Sequence, residues 1–299
     1  MWLMDEMILM SDPKLKERIY PAFKALNAVT VARQFSIPAS QSLAGTGLSE
    51  HSLSERATRT TLGELATIYQ NIQEVSPGVS LPLAIGKNLG PANYGVYGYA
   101  IATSASLGRG FEVMVTYPEL AMPTVRMAIG FDEREKVAWI DFTDNLGIPE
   151  VLTFNLISHL AMFLSFFRAI LPVTVAFHDI SIACEAPGDE GMITSHFGCP
   201  IEFDTKQTRV CFPLDWLRLG LSKSDPLTEQ TMRQLCEKYC QFGDPARPLS
   251  RQVAILMQTD LRASITTAAV AEAIKKYLNA GTIDTAAPKP LSSLPEQNR

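Results

Sequence analysis

Charge is scarce in this chain. Lys, Arg, Asp and Glu make up 19% of its 299 residues, and acids outnumber bases, 31 to 26. A net charge of −5 excludes a protein that grips nucleic acid over its whole surface, although a local basic patch stays open. Histidine is scarcer still, with four residues, and the five cysteines at 184, 199, 211, 236 and 240 form no CxxC pair. That excludes a disulfide framework and offers no converging ligand set, so no metal is expected. Thiols used this way fit a cytoplasmic protein. GxSxG, a Walker loop, GxGxxG and HExxH are all missing, so no catalytic residue is assigned and no cofactor is expected. The reading is therefore not an enzyme, with a dispersed active site as the competing possibility.

The first residues are apolar, but they carry Asp5 and Glu6 and no basic stretch, which argues against a secretory signal. Residues 151–177 form the longest apolar run. Asn155, Ser158, His159, Ser165 and Arg168 interrupt it, and Pro172 ends any helix there. This suits a buried helix followed by a strand at 173–177 better than a membrane span. No membrane partner is expected.

Hydrophobic residues make up 46% of the chain, enough to fill an ordinary core. Their spacing predicts a helix from Phe23 to Phe35, a short one after Ala39, and one capped by Thr60 or Thr61 with Glu64 at the capping-box position. Further helices are expected at 94–103 and 106–117. The period then changes to two, giving strands at 124–131 and 136–143. With the turn centred on Glu133 and Arg134, the register sets Val125 against Phe142, Met127 against Ile140 and Arg126 against Asp141. A short helix at 192–197, strands at 201–203 and 210–212 and a helix at 227–242 follow. The fold class is α+β, mainly helical with a small antiparallel β-sheet.

Asn155, Ser158, His159 and Ser165 fall near one face of the long helix. They line an internal pocket for a polar ligand, or form a wet surface or bond within the core. Tyr94, Tyr97 and Tyr99 carry the same ambiguity, with packing favoured. The expected ligand cavity lies between the 136–143 strand and the 154–168 helix, walled by Trp139, His159 and Phe163. Arg126 is a candidate for an acidic ligand group. The helix at 227–242 carries an apolar stripe, with Leu235 and Tyr239 as candidate dimer contacts and packing on its own domain as the alternative.

Several motifs then read together. Leu43-Ala-Gly-Thr-Gly-Leu-Ser49 precedes Gly86-Lys-Asn-Leu89, Tyr94-Gly-Val-Tyr-Gly-Tyr-Ala-Ile-Ala-Thr-Ser104 and Ser106-Leu-Gly-Arg-Gly110. Phe197-Gly-Cys-Pro-Ile-Glu-Phe203, Val210-Cys-Phe212, Asp215-Trp-Leu217 and Asp225-Pro226 come later. Their order over residues 20 to 245 resembles the arabinose-binding type of N-terminal domain in AraC-type transcription regulators. The resemblance implies a domain, 1–245, that senses a small-molecule effector and dimerises, ahead of a DNA-binding part with two helix-turn-helix units.

Residues 264–273 resemble the first motif helix of that DNA-binding part, but the expected turn and Arg-rich recognition helix do not follow. From Pro248 onward there are six basic and four acidic residues, without a cluster. The expectation is a remnant at 246–281 and a loose tail at 282–299, with promoter DNA a partner only if the missing part is supplied. A homodimer, or a heterodimer with full-length relatives, is expected in either case.

Overall fold

The computed structural model describes residues 13–242, apart from 56 and 122. The expected helix-turn-helix remnant and tail lie outside the described residues. A short helix α1 (Pro13–Lys16) and a two-residue strand β1 (Tyr20–Pro21) lead into α2 (Phe23–Gln34). Next come α3 (Ala39–Ser42), α4 (Glu50–Ser54) and β2 (Arg59–Thr60), which pairs antiparallel with β1. Helix α5 (Leu62–Val75) starts where its cap predicts. The Thr61 hydroxyl accepts from the Glu64 amide at 2.9 Å and the Glu64 carboxylate accepts from the Thr61 amide at 2.8 Å, so two end-of-helix donors are satisfied reciprocally.

Helix α6 (Ser80–Lys87) follows. Pro82 and Gly86 hide it from a periodicity search, yet a proline in the first turn costs a helix no hydrogen bond. A 3-10 turn (Pro91–Tyr94) then leads into α7 (Gly95–Ala102), and Ser106 caps α8 (Leu107–Thr116). Strands β3 (Val125–Asp132) and β4 (Val137–Asp144) form the expected hairpin, followed by α9 (Leu152–Ile170). The rest is β5 (Asp179–Ser181), α10 (Glu190–Phe197), β6 (Ile201–Glu202), β7 (Thr208–Pro213) and α11 (Pro226–Phe242). The Asp225 carboxylate accepts from the Thr228 amide at 2.7 Å at the start of α11.

The architecture is α+β. Five strands form one sheet in the order β3-β4-β7-β5-β6, antiparallel except for the parallel pair β5 and β6. The hairpin register differs from the expected one by two residues. Val125 pairs with Asp144, Met127 with Phe142 and Ile129 with Ile140. The turn is wider than two residues because the Asp132 carboxylate accepts from the amides of Arg134 and Glu135, and Lys136 takes a positive φ of 55°. A shift of two keeps each side chain on its face but changes its partner. Arg126 therefore sits opposite Thr143, and Asp141 pairs instead with Arg209 of β7 through two bonds of 2.6 and 2.8 Å.

The strand expected at 173–177 is absent. Val175 and Phe177 are buried there, and Phe177 packs edge-on against Phe167. The segment plugs the core, and pairing begins only at Asp179.

Two apolar cores result. One gathers Val29, Leu62, Leu65, Ile68, Ile72 and Ile85 around α2, α5 and α6. The other is rich in aromatics, with Phe111, Phe163, Phe167, Phe212 and Trp216 between the sheet and α7, α8 and α9. Helix α9 is long and apolar enough to cross a membrane by composition, but it serves both cores: Phe154 sits in the first and Phe167 in the second. Gly86 lets α6 approach α9 closely, since a Cβ there would come within 2.1 Å of the Ser158 carbonyl oxygen and 2.7 Å of Ala161 Cβ.

Candidate functional site

Where the two cores meet, the packing turns polar. A small cavity of about 10 Å³ lies there, lined by Lys24, Tyr69, Leu89, Tyr94, Thr124, Asn155, Ser158, His159 and Met162. That is room for about one water. None of the lining residues is acidic.

Each wall has a local cause. Helix α2 carries Lys24 in its first turn, on the side where Asn27, Ala28 and Val31 are also buried, so the lysine is drawn inside. It is 4% exposed, and desolvation pulls its ammonium down from 10.5 to about 7. Its Nζ lies 5.8 Å from the centre of the Tyr94 ring. The N-cap of α2 is Ala22, which offers no side-chain acceptor, and the first turn holds no acid. The positive end of the helix dipole therefore adds to the lysine's charge.

Tyr94 ends the 3-10 turn. Its ring is held edge-on by Phe23 at 4.8 Å and by Phe166 at 6.0 Å. Its hydroxyl is buried and has no hydrogen-bond partner. Burial, with Tyr97 and Tyr69 nearby, raises its pKa well above the ordinary value.

From α9, three of the four residues of the polar stripe reach this place. Asn155 donates to the Thr124 carbonyl at 3.0 Å and to Asp144 at 2.7 Å, which fixes the start of β3 against the helix. Ser158 hydrogen-bonds Tyr69, whose phenol burial pushes up to about 12. His159 packs on Phe142 at 5.5 Å, and its Nε2 is shut from solvent without a partner. Desolvation first, and Lys24 second, hold the imidazole neutral. Ser165 points elsewhere and donates to the Lys87 carbonyl, pinning the end of α6.

Of the four ligand candidates read from sequence, only His159 lines this cavity. Phe163 lies one turn deeper in the aromatic core, 5.2 Å from Phe142 and 4.5 Å from Phe167. Trp139 and Arg126 point to the other side of the sheet, because strand side chains alternate and Ala138, Ile140 and Phe142 take the inward positions. There Trp139 lies over Gly130 and beneath the Arg209 guanidinium at 4.7 Å. The interface of β4 with α9 is filled by rings, and the cavity lies beside it, toward α2 and α5.

Lys24 and Tyr69 escaped the sequence reading. A lysine at the buried positions of an otherwise apolar helix is the signal that marks Lys24.

A larger hollow of about 450 Å³ opens at the surface between Pro149, Leu152, Thr153, Cys184, Glu185 and Asp204. Its polar groups face water, and none of its rim atoms is a buried group lacking a partner. The small cavity is the stronger candidate, because unsatisfied buried groups call for a partner that open ones already have. Among the described residues, no three His, Cys, Asp or Glu side chains converge to hold a metal ion.

Helix α11 packs against α7 and buries Cys236 in the aromatic core. Its Glu229 accepts from the Ala105 amide at 3.2 Å, and its Arg233 reaches Glu229 at 2.9 Å and the Arg109 carbonyl at 3.0 Å. Leu235 is half-buried on this helix and Tyr239 is 49% exposed.

The sequence family described as the arabinose-binding N-terminal domain of AraC transcription regulators matches residues 37–221. The chain belongs to this family. The solved transcriptional regulator CdpR from Pseudomonas aeruginosa is similar in fold, with a TM-score of 0.50 and 16% identity over 72% of this chain and 70% of that one. No curated protein matches the chain. In this AraC-type domain, then, α9 carries polar side chains into the junction of two cores.

Proposed function

We propose that this chain senses a small-molecule effector in the small cavity between α2, α5, α9 and the turn before α7. It works without turnover, as a cytoplasmic, dimerising part of a transcription regulator. The observation that carries the reading is the pair of buried polar atoms without partners, Tyr94 Oη and His159 Nε2, on the wall of one cavity. Leaving a buried polar group unpaired costs about 1–3 kcal/mol, so a ligand that pairs both recovers that cost on binding. The family supplies the regulatory context.

A thermal-shift screen with a metabolite library tests the reading. A hit raises the melting temperature saturably, returns unchanged from the mixture, and loses most of its effect in Tyr94→Phe. A hit consumed by the protein turns the reading toward an enzyme.

Dimerisation is proposed through α11, supported by the exposure of Tyr239 and of Leu227, which is 74% exposed. Leu235→Glu is expected to remain folded and to sediment as a monomer where the parent is a dimer. A monomeric parent at micromolar concentration removes this part of the reading, and a mixed species with a full-length relative favours the heterodimer.

A further inference from the structure

We infer that α11 is a latch: it opens from α7 and α8 as a unit while the two cores stay folded, because a charged cluster more than apolar packing holds it down. The inference concerns how the chain leaves the domain, and it does not depend on which cavity binds an effector.

The apolar hold on α11 is small. Among its described side chains Cys236 is the one buried apolar group, with Met232 and Cys240 half-buried against the same core. Leu227 and Tyr239 stand mostly in solvent. Helix α9, by contrast, buries Leu156, Ile157, Leu160, Phe163, Phe167 and Ile170. Apolar area taken out of water is what ties an element to its core, and a cysteine supplies little of it. On that ground α11 is attached far more weakly than α9.

The polar hold is concentrated at one point. Glu112 of α8 is 5% exposed. Its Oε2 accepts from Arg109 at 2.6 Å and lies 3.9 Å from the Arg233 guanidinium, which α11 brings over it. Arg233 in turn donates to Glu229 and to the Arg109 carbonyl, and Glu229 accepts from the Ala105 amide. Further along, the Tyr117 hydroxyl donates to Glu237 at 3.3 Å. Two glutamates and two arginines balance one another in charge, which fixes the register of α11.

Such a cluster specifies a position without adding much stability. Taking the charges out of water costs most of what their attraction returns. Glu112 adds a penalty of its own, since its second oxygen, Oε1, is buried and has no hydrogen-bond partner. An acceptor in that state has lost its water and gained nothing. Lifting α11 takes Arg233 away from the carboxylate and admits water to Oε1, so opening relieves a cost that docking imposes.

The rest of the fold has no need to follow. Arg109 and Glu112 both belong to α8, so their ion pair survives when α11 leaves. Phe111 and Val113 still bury that helix in the aromatic core, and Ala100 and Ile101 do the same for α7. From Phe242, the end of α11, the chain runs on into residues 243–299. Opening of α11 alone redirects that continuation and leaves both cores intact, as local opening of a weakly held element does.

Native-state hydrogen exchange on the whole chain tests this, with the amides at 231–239 in α11 set against those at 156–167 in α9. Corrected for intrinsic rates, the α11 amides are expected to exchange at least about tenfold faster, with little dependence on added urea, because a local opening exposes little surface. The α9 amides should follow global unfolding. Arg233→Met strips Glu112 and Glu229 of their shared arginine and should speed α11 by about tenfold more, with α9 unchanged. Glu112→Met combined with Arg233→Met removes the buried carboxylate together with its cover. That double variant should return α11 exchange to the parental rate or below. Each protein is measured at two concentrations, since a dimer contact on α11 slows its opening only as dimer forms.

The latch is overturned if the parent's α11 amides exchange only with those of α9, at one rate and one urea slope, at both concentrations. Arg233→Met speeding both helices alike overturns it as well. A double variant as fast as Arg233→Met shows that docking stores no penalty, and the reading falls. Where a variant does not fold, the parent's own pattern decides.

Discussion

Around Phe167, the rings of Phe111, Phe163, Phe177, Phe212 and Trp216 lie with centroids 4.5 to 6.2 Å away. No ionisable carboxylate or ammonium joins them. On the same helix, nearer its start, Asn155, Ser158 and His159 face Lys24, Tyr69 and Tyr94, and two of the polar atoms there lack partners. Both regions lie largely out of solvent, the rings somewhat more so. The difference is in what each leaves unsatisfied. The aromatic core has filled its space and gains from every contact. The polar junction keeps a lysine out of water at a cost that a well-packed core would not accept. That contrast divides α9: its second half packs the aromatic core and its first half carries the polar junction proposed as the site.

The largest effect is expected in the aromatic core. Phe167→Ala removes a fully buried ring with five aromatic neighbours and should cost about 3–5 kcal/mol. Urea unfolding measures it. A loss below about 1 kcal/mol would show that the rings close over the gap and that this core is not the fold's main support.

The junction should answer in the opposite direction. Lys24→Met is expected to raise stability by an amount on the order of a few kcal/mol at pH 6. The ammonium's constant in the folded chain, about 7, lies below its ordinary 10.5. Between these values the unfolded chain holds more protons, so stability rises with pH from about 7 toward 10, and the full cost is present below 7. The parent should show this rise and Lys24→Met should not. Reading both curves between pH 7 and 9 keeps clear of His159, which is also kept neutral and weakens both proteins as pH falls below about 6.5. A parent curve parallel to that of the variant between pH 7 and 9 would place the lysine in water and undo the contrast.

A third change touches the contact that holds the junction in place. Gly86→Ala drives a Cβ into the Ser158 carbonyl and Ala161. Overpacking of this kind costs about 1–3 kcal/mol. Because Ser158 and His159 are neighbours on α9, the variant should also lose response to any effector, even where it remains folded. An unchanged response with lowered stability would separate the helix contact from the site.

How much of this was legible in the sequence differs between the same two regions. The helices at Phe23, Thr61, Ser106 and Asp225 were readable because caps and breakers act locally. The inward face of the hairpin was readable because its apolar alternation is strict. Its register was not, since it hangs on the Asp132 carboxylate capping a wider turn. Helix α6 hid behind Pro82 and Gly86, although its close approach to α9 shapes the site. Within the site, the stripe on α9 was visible as polar residues in an apolar run. Which side of the helix had space was not, because that depends on how α2 and α5 pack, far away in sequence. Trp139 looked like a wall for the same reason, and strand alternation places it on the outer face.

The smallest expected effect is the most local. Ser158 and Tyr69 share a hydrogen bond across the junction, and Tyr69 stacks at a tilt on Phe154 at 4.8 Å. Ser158→Ala leaves the phenol without that partner and should cost about 1 kcal/mol. Tyr69→Phe should cost about the same, because it leaves the serine hydroxyl in the same position. Removing both groups leaves neither orphaned, so the double variant should lose clearly less than the sum of the two, with a coupling of about 0.5–1 kcal/mol. A core of rings offers no such rescue, since deleting two neighbours only enlarges one gap. Phe163→Ala combined with Phe167→Ala serves as the comparison, and it is expected to lose far more than either double change at the junction. If the Ser158 and Tyr69 losses simply add, the bond contributes nothing of its own. The junction would then behave as a second, weaker apolar core rather than a set of paired polar groups.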